Sequence, residues 1–303
     1  MNATNKNNSK KKKIAYVQSQ TDHVDLKGFW LWSVNCYQVA QGLKDLGYEV
    51  RGFICEKGGR DDLPSLPISI HTPVKGNIYA TRRAFELLGV PQPKNIDIPK
   101  SLMKYTNRKV WETTLGALRK KRKPVFVKSL EHQKAWCGAV IFQKSCGFPN
   151  GYRPESTYET ANFPDSYKVL ASEVINIRDE FRTVVLNGKI ISTNADSPDY
   201  DYDYDYKVEN KVRILALVKK MIKSYGKNAP ASYAIDVADV PLPMKVQRKN
   251  KFKFPTSELA LIEVNDGFSA GNMTDLSDIQ MAKICLARWH QIVGLKCPTR
   301  FRR

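Results

Sequence analysis

The chain has 303 residues, enough for two domains or for one large one with a sizeable core, and its 42% hydrophobic content excludes wholesale disorder. Its formal net charge of +19 marks a protein that attracts polyanions, whether nucleotide, nucleic acid or acidic peptide. Nine of the nineteen excess charges lie at the ends, on Lys6, Lys10 to Lys13, Lys296, Arg300, Arg302 and Arg303, in two stretches (1–13 and 296–303) that contain no acid.

The first 13 residues read as a basic tail, serving either solubility or nucleic-acid binding and localisation. They carry no apolar core, and no run of about 18 apolar residues follows anywhere in the chain, so the expectation is a cytoplasmic protein with neither signal peptide nor membrane span. Six cysteines, Cys36, Cys55, Cys137, Cys146, Cys285 and Cys297, show no C-x-x-C pair and read as reduced thiols. Ile14 to Gln18 forms a short strand. Phe29-Trp-Leu-Trp32 is either core packing or a stacking platform. Cys36, Val39, Ala40, Leu43 and Leu46 recur at helical spacing over Val34 to Leu46 and stop at Gly47. Tyr48 to Ile54 is a second strand, so the chain opens strand, helix, strand, the pattern of a parallel sheet covered by helices. No G-x-G-x-x-G accompanies it, so a dinucleotide site has little support.

A helix over Asn77 to Leu88 ends at Gly89, and Val90-Pro-Gln-Pro-Lys94 cannot continue it, which places a domain boundary near residue 95. Val110, Leu115 and Leu118 suggest a helix across Ser101 to Lys123, with Arg119 to Lys123 at its C-terminal end. Pro124 begins the strand Val125 to Lys128. A connection bearing Lys134 and Gly138 then leads to a strand at Ala139 to Phe142; lysines on a strand end and on a loop can clamp phosphates. A strand ending near Ile175 leads to the hairpin Phe181 to Ser192 around the Asn187-Gly188 turn. Arg182 offers a fixed donor fork to phosphate or carboxylate. Asp196 to Tyr206, five aspartates and no base, reads as a mobile acidic-tyrosine loop. Val208 to Tyr225 is a helix.

Two strands follow. Tyr233 to Val240 carries Asp236 in an apolar front half, and Leu259 to Val264 stops at the turn residues Asn265-Asp266-Gly267. Alternation puts Glu263 and Asn265 on one face, about 7 Å of chain apart, with Ile262 and Val264 on the other. If the strands pair, Asp236 joins them, and two carboxylates with an amide oxygen form a hard-oxygen set suited to magnesium. Between the strands, the basic insertion Met244 to Phe254 reads as a projecting hairpin or loop. A final helix, Asp275 to Val293, presents an apolar stripe and serves packing. The four histidines, His23, His71, His132 and His290, form no catalytic arrangement.

Taken in order, Phe-Val-Lys128, Lys134-x-x-x-Gly138, Ser-Glu173-Val-Ile, Asp-Glu-Phe-Arg182, Asp236 and Ile-Glu263-Val-Asn265-Asp-Gly resemble the ATP-grasp superfamily. Within it the chain is similar to the clade named for an arginine and two lysines, common in viruses and bacteria and related to the ribosomal-protein glutamate ligases. The resemblance covers about residues 101 to 290. It implies an α/β (α+β) fold, in which an N-terminal Rossmann-like pre-ATP-grasp domain (14–95) precedes an ATP-grasp domain with antiparallel sheets (96–295).

It further implies that Lys128 holds the α/β phosphates of ATP and that Lys134 comes from a glycine-bearing lid. Glu173, Val174 and Ile175 would form the adenine hinge. Arg182 would face the γ-phosphate or the transferred acyl group and share catalysis with Lys134, while Asp236, Glu263 and Asn265 would hold Mg2+. The implied reaction is ATP-dependent carboxylate–amine ligation through an acylphosphate, with release of ADP, on small-molecule or peptide substrates. Two alternatives stay open on sequence. One is a nucleic-acid-directed modifying enzyme or binder, with weak polyanion binding through the basic tails; the other is a phosphotransferase using the same ATP site. After Ile191 the chain departs from the pattern and runs into the Asp-Tyr segment, which leaves an acceptor-side contact there undefined.

Overall fold

The protein is represented by a computed structural model, which describes residues 13–19, 34–121, 123–131, 138–141, 160, 162–195, 204–242, 244–249, 256–268 and 275–296. The tail 1–12, the Phe29 to Trp32 motif, Lys134, His132 and most of the Asp-Tyr run fall outside these residues.

Three strands, β1 (Lys13–Gln18), β2 (Tyr48–Phe53) and β3 (Val74–Lys75), form a parallel sheet in the order β2-β1-β3. The Val34–Asp45 helix crosses from β1 to β2 and ends at Gly47, whose φ of 82° a side chain would resist. Asn77 caps the Ile78–Leu87 helix by accepting from the Ala80 amide at 2.8 Å.

Two four-stranded antiparallel sheets follow. The first runs β4 (Val110–Thr114), β7 (Lys168–Glu173), β5 (Val125–Ser129), β6 (Ala139–Ile141); the second runs β11 (Ser257–Asp266), β10 (Ser232–Pro241), β8 (Asp179–Leu186), β9 (Lys189–Ala195). The β8–β9 hairpin turns at Asn187 and Gly188 with φ of 48° and 74°, as that dipeptide requires. One face of the second sheet buries Phe181, Val185, Tyr233, Ile235, Val237, Leu261 and Val264 against Ile214, Val218 and Met221 of the Tyr204–Tyr225 helix. Val184 and Ala234, on its other face, meet the final helix, Asp278–Ile292, which starts in a Ser277/Gln280 capping box. That helix also packs on the Val34–Asp45 helix, and its Trp289 stacks on Phe85, so it returns to the parallel sheet.

Three expectations are corrected. The stretch Ser101 to Lys123 is not one helix: a 3-10 turn (Lys100–Tyr105), strand β4 and a short helix (Leu115–Arg119) divide it. Val110-Trp-Glu-Thr-Thr114 is β-branched and aromatic, which favours a strand, and Thr114 then caps the short helix by accepting from Ala117. The basic insertion begins as a helix, Met244–Lys249, consistent with its helix-forming Met, Lys, Gln and Arg. The end of the Asp-Tyr run, Tyr204 to Tyr206, is the first turn of the long helix and not a loop.

Gly42 sits where the first and last helices touch, and a Cβ there would lie 1.9 Å from the Asp278 carbonyl oxygen. Gly42→Ala is therefore expected to lower stability by about 1–3 kcal/mol, the usual cost of overpacking. A urea titration should show a lower midpoint with an unchanged m-value; an unchanged midpoint would refute the close approach.

Candidate active site

The register of the second sheet sets one polar row across three strands. Arg182 of β8 lies opposite Asp236 of β10, and Asp236 lies opposite Glu263 of β11. Asp236 is fully buried, and both of its oxygens are held by Arg182, from Nε at 2.8 Å and Nη2 at 2.9 Å. Asn265, two residues beyond Glu263, donates from Nδ2 to Asp236 Oδ2 at 2.8 Å and to Glu263 Oε1 at 2.7 Å. The Lys128 ammonium, arriving from β5 of the other sheet, pairs with Glu263 Oε2. The five sequence-predicted residues Lys128, Arg182, Asp236, Glu263 and Asn265 thus form one network.

The two carboxyls are driven apart. Burial pushes Asp236 up despite its arginine, whereas Glu263, which burial alone would raise, is drawn below the usual range chiefly by the Lys128 charge.

Between the first sheet and β11 of the second opens a cleft. Ile98, Val110, Phe126, Leu170 and Ile262 make its apolar walls, and Lys128 and Glu263 stand at its polar side. Ile262 was expected on the opposite face from Glu263. A register shift between Asp236 and Val237 leaves Ile262 as an extra residue in β11, and this bulge lets both neighbours line the cleft while Val264 stays in the core.

Two lining residues escaped the sequence reading. Arg108 donates to the carbonyls of Leu261 (2.6 Å) and Ile262 (3.2 Å), tying β11 to the start of β4; burial lowers its pKa, against the nearby Glu180 charge. Asp97 is held at a φ of 45°, its carbonyl accepts from the Val264 amide at 2.7 Å, and burial raises its carboxyl while Lys128 opposes the rise. Both act through contacts about 150 residues along the chain or more, which no local pattern encodes.

The residues of the expected adenine hinge lie at and just beyond the end of β7. Glu173 uses its carboxylate to accept from the Lys109 amide at 3.0 Å and its own N–H to reach the Lys109 carbonyl at 3.1 Å. Val174 is 46% exposed. On this strand the cleft is lined by Leu170 and Ser172, and not by Glu173, Val174 or Ile175. Lys134 lies outside the described residues.

Among the described residues no group of three His, Cys, Asp or Glu converges on one point. Asp236 and Glu263 do share one carboxamide between them, so two carboxylates and Asn265 form a compact hard-oxygen set once the amide presents its oxygen. That set fits magnesium, which keeps few protein ligands and shares phosphate oxygens.

Residues 105–284 match the model of an ATP-grasp domain family, the second family of the clade named for an arginine and two lysines. No curated protein matches the sequence. Among solved structures, the chain is similar to an ATP-grasp RimK domain protein of Sphaerobacter thermophilus, at 12% identity over 91% of this chain and 98% of that one, with a TM-score of 0.48. It is also similar to a D-alanine–D-alanine ligase of Bacillus anthracis, at 12% identity, 93% and 99% coverage and a TM-score of 0.44. An L-amino acid ligase of Bacillus licheniformis gives 13% identity, 94% and 76% coverage and a TM-score of 0.48.

Removing Arg182 would strand a fully buried carboxylate. Arg182→Met is expected to cost about 3–5 kcal/mol, and Arg182→Met/Asp236→Leu to regain most of that loss, because the pair is costly to break but replaceable by apolar packing. Denaturant midpoints of the two variants check this; equal destabilisation of single and double variants would refute it.

Proposed function

Because the chain belongs to the ATP-grasp domain family of the arginine-and-two-lysine clade, we propose that it is an ATP-dependent carboxylate–amine ligase. The carrying observation is the cleft itself, where an apolar slot leads to two cations and two carboxylates contributed by two sheets.

In this reading the adenine occupies the slot walled by Ile98, Val110, Phe126, Leu170 and Ile262. Lys128 receives the α/β phosphates as a point charge, and Lys134 adds a second charge from the connection after β5. Arg182, fixed by Asp236, faces the γ-phosphate or the transferred acyl group. Asp236, Glu263 and Asn265 would hold Mg2+, which neutralises phosphate charge when bound. Glu173, Val174 and Ile175, at the end of β7, would form the adenine hinge, with backbone groups around Val174 reading the base edge.

The substrate carboxylate attacks the γ-phosphorus and ADP departs, giving an acylphosphate. An amine then attacks the acyl carbon, phosphate leaves, and the amine gives up a proton to form the amide. Catalysis is by positioning and charge neutralisation, with no protein nucleophile.

Three variants test the assignment by ADP release with magnesium and panels of acids and amines. Lys128→Ala should weaken ATP binding by at least about tenfold, the loss of a charge-assisted contact. Lys134→Ala should lower kcat more than ATP affinity, as expected of a residue that completes the site on closure. Glu263→Gln should abolish magnesium-dependent turnover with an unchanged circular dichroism spectrum. ADP release that answers only to hydroxyl acceptors, or only to added nucleic acid, would replace the ligase with a phosphotransferase or a nucleic-acid-directed enzyme.

A further inference from the structure

Lys75 ends β3, paired with β1 at Val17, and only 7% of it is exposed. Its ammonium donates to the carbonyl oxygen of Phe268 at 3.0 Å. Among the described residues no carboxylate forms an ion pair with it. One neutral carbonyl occupies one of its three N–H groups and supplies no opposite charge, and a buried charge calls for one.

Lys75 lies at the carboxyl end of a strand in an open parallel sheet, where such sheets gather their ligands. The next residue, Gly76, leaves no room for a side chain, since a Cβ would lie 2.7 Å from Gln18 Oε1 and 2.8 Å from Ala80 Cβ. The backbone then enters the ten-residue Ile78–Leu87 helix, whose positive dipole end follows directly. Phe268 is three residues past Asn265, so the ammonium sits beside the end of the strand that carries Glu263 and Asn265. Arg182, Lys128, Asp236 and Glu263 balance one another in charge, whereas no carboxylate of the described residues pairs with Lys75.

We infer that Lys75 is a carboxylate-binding subsite, and that one substrate is an amino acid whose free α-carboxylate it holds while the reacting groups lie at the Arg182–Asp236–Glu263 row. This rests on the ligase reading above and specifies its substrate.

The test is a thermal-shift titration of wild type and Lys75→Met, both saturated with AMPPNP and magnesium, against the twenty L-amino acids and the amines that lack the α-carboxylate, such as isoamylamine for leucine and ethylamine for alanine. At least one amino acid should stabilise wild type. Its apparent Kd should weaken at least about tenfold in Lys75→Met, the loss of a charge-assisted bond, and its decarboxylated amine should bind both proteins equally weakly. AMPPNP affinity should not change. The inference is overturned if Lys75→Met binds the amino acid as tightly as wild type, if the amine binds wild type as well as the amino acid does, or if no amino acid shifts wild type. Lys75→Gln provides the same comparison if the methionine variant does not fold. Failure of the ligase reading is a separate result, the absence of any acid- and amine-stimulated ADP release by wild type.

Discussion

The ion pair between Lys128 and Glu263 crosses the cleft from one sheet to the other, and the arrangement of the site depends on it. Glu263 is largely shielded from water, and Asp236, directly across the ladder, is wholly so. Two adjacent carboxylates in such a place repel each other and lose hydration, so each needs its own cation. Arg182 supplies one from within the sheet and Lys128 the other from across the cleft. Asn265 bridges the two acids and fixes their separation. In the proposed reaction Asp236, Glu263 and Asn265 would hold a divalent cation, which would supply charge neutralisation, and Lys128 and Arg182 would meet the phosphates.

The surroundings hold this network from three sides. Arg108 and Asp97 grip the backbone of β11 on either side of the bulge, one through the carbonyls of Leu261 and Ile262 and the other through the Val264 amide. At the far end of the strand, Asp266 is locked by Arg288 of the final helix at 2.7 and 2.6 Å. Gly267 then turns so close to Ser232 that a Cβ would meet its backbone oxygen at 2.6 Å. A shift of β11 would therefore break contacts with the linker after the parallel sheet, with β4 and with the last helix together. Positioning by several independent contacts is what catalysis without a nucleophile demands.

Local rules carried the sequence reading wherever the decisive contacts were local. Asn187-Gly188 needs positive φ at both positions and so announces its hairpin, and an acid in an apolar strand announced Asp236. Spacing misled at Val110, Leu115 and Leu118, because only Leu115 and Leu118, three apart, share a helix face, while Val110 belongs to the strand before them. Alternation placed Glu263 and Asn265 correctly but not Ile262, since a bulge adds a residue that period-two counting cannot see. The side chain of Glu173 was hidden from sequence for a similar reason: it is spent on the Lys109 backbone, a partner 64 residues away.

Charge is where sequence is least informative in this chain. With 49 lysines and arginines, composition says that anions are attracted but cannot say which cations matter. Burial makes the distinction. A cation at the surface is solvated and needs no partner, whereas a buried one is tolerated only where an opposite charge meets it. Arg182 and Arg288 each meet a carboxylate supplied by the fold, and both hold it in place, Asp236 in the one case and Asp266 in the other. Lys75 is as deeply placed and, among the described residues, meets only a carbonyl, next to the strand end that Arg288 fixes. The fold therefore satisfies the charges that build the site, and beside it no carboxylate of the described residues meets Lys75; in the proposed ligase, the group best matched to it is a carboxylate that the reaction does not consume.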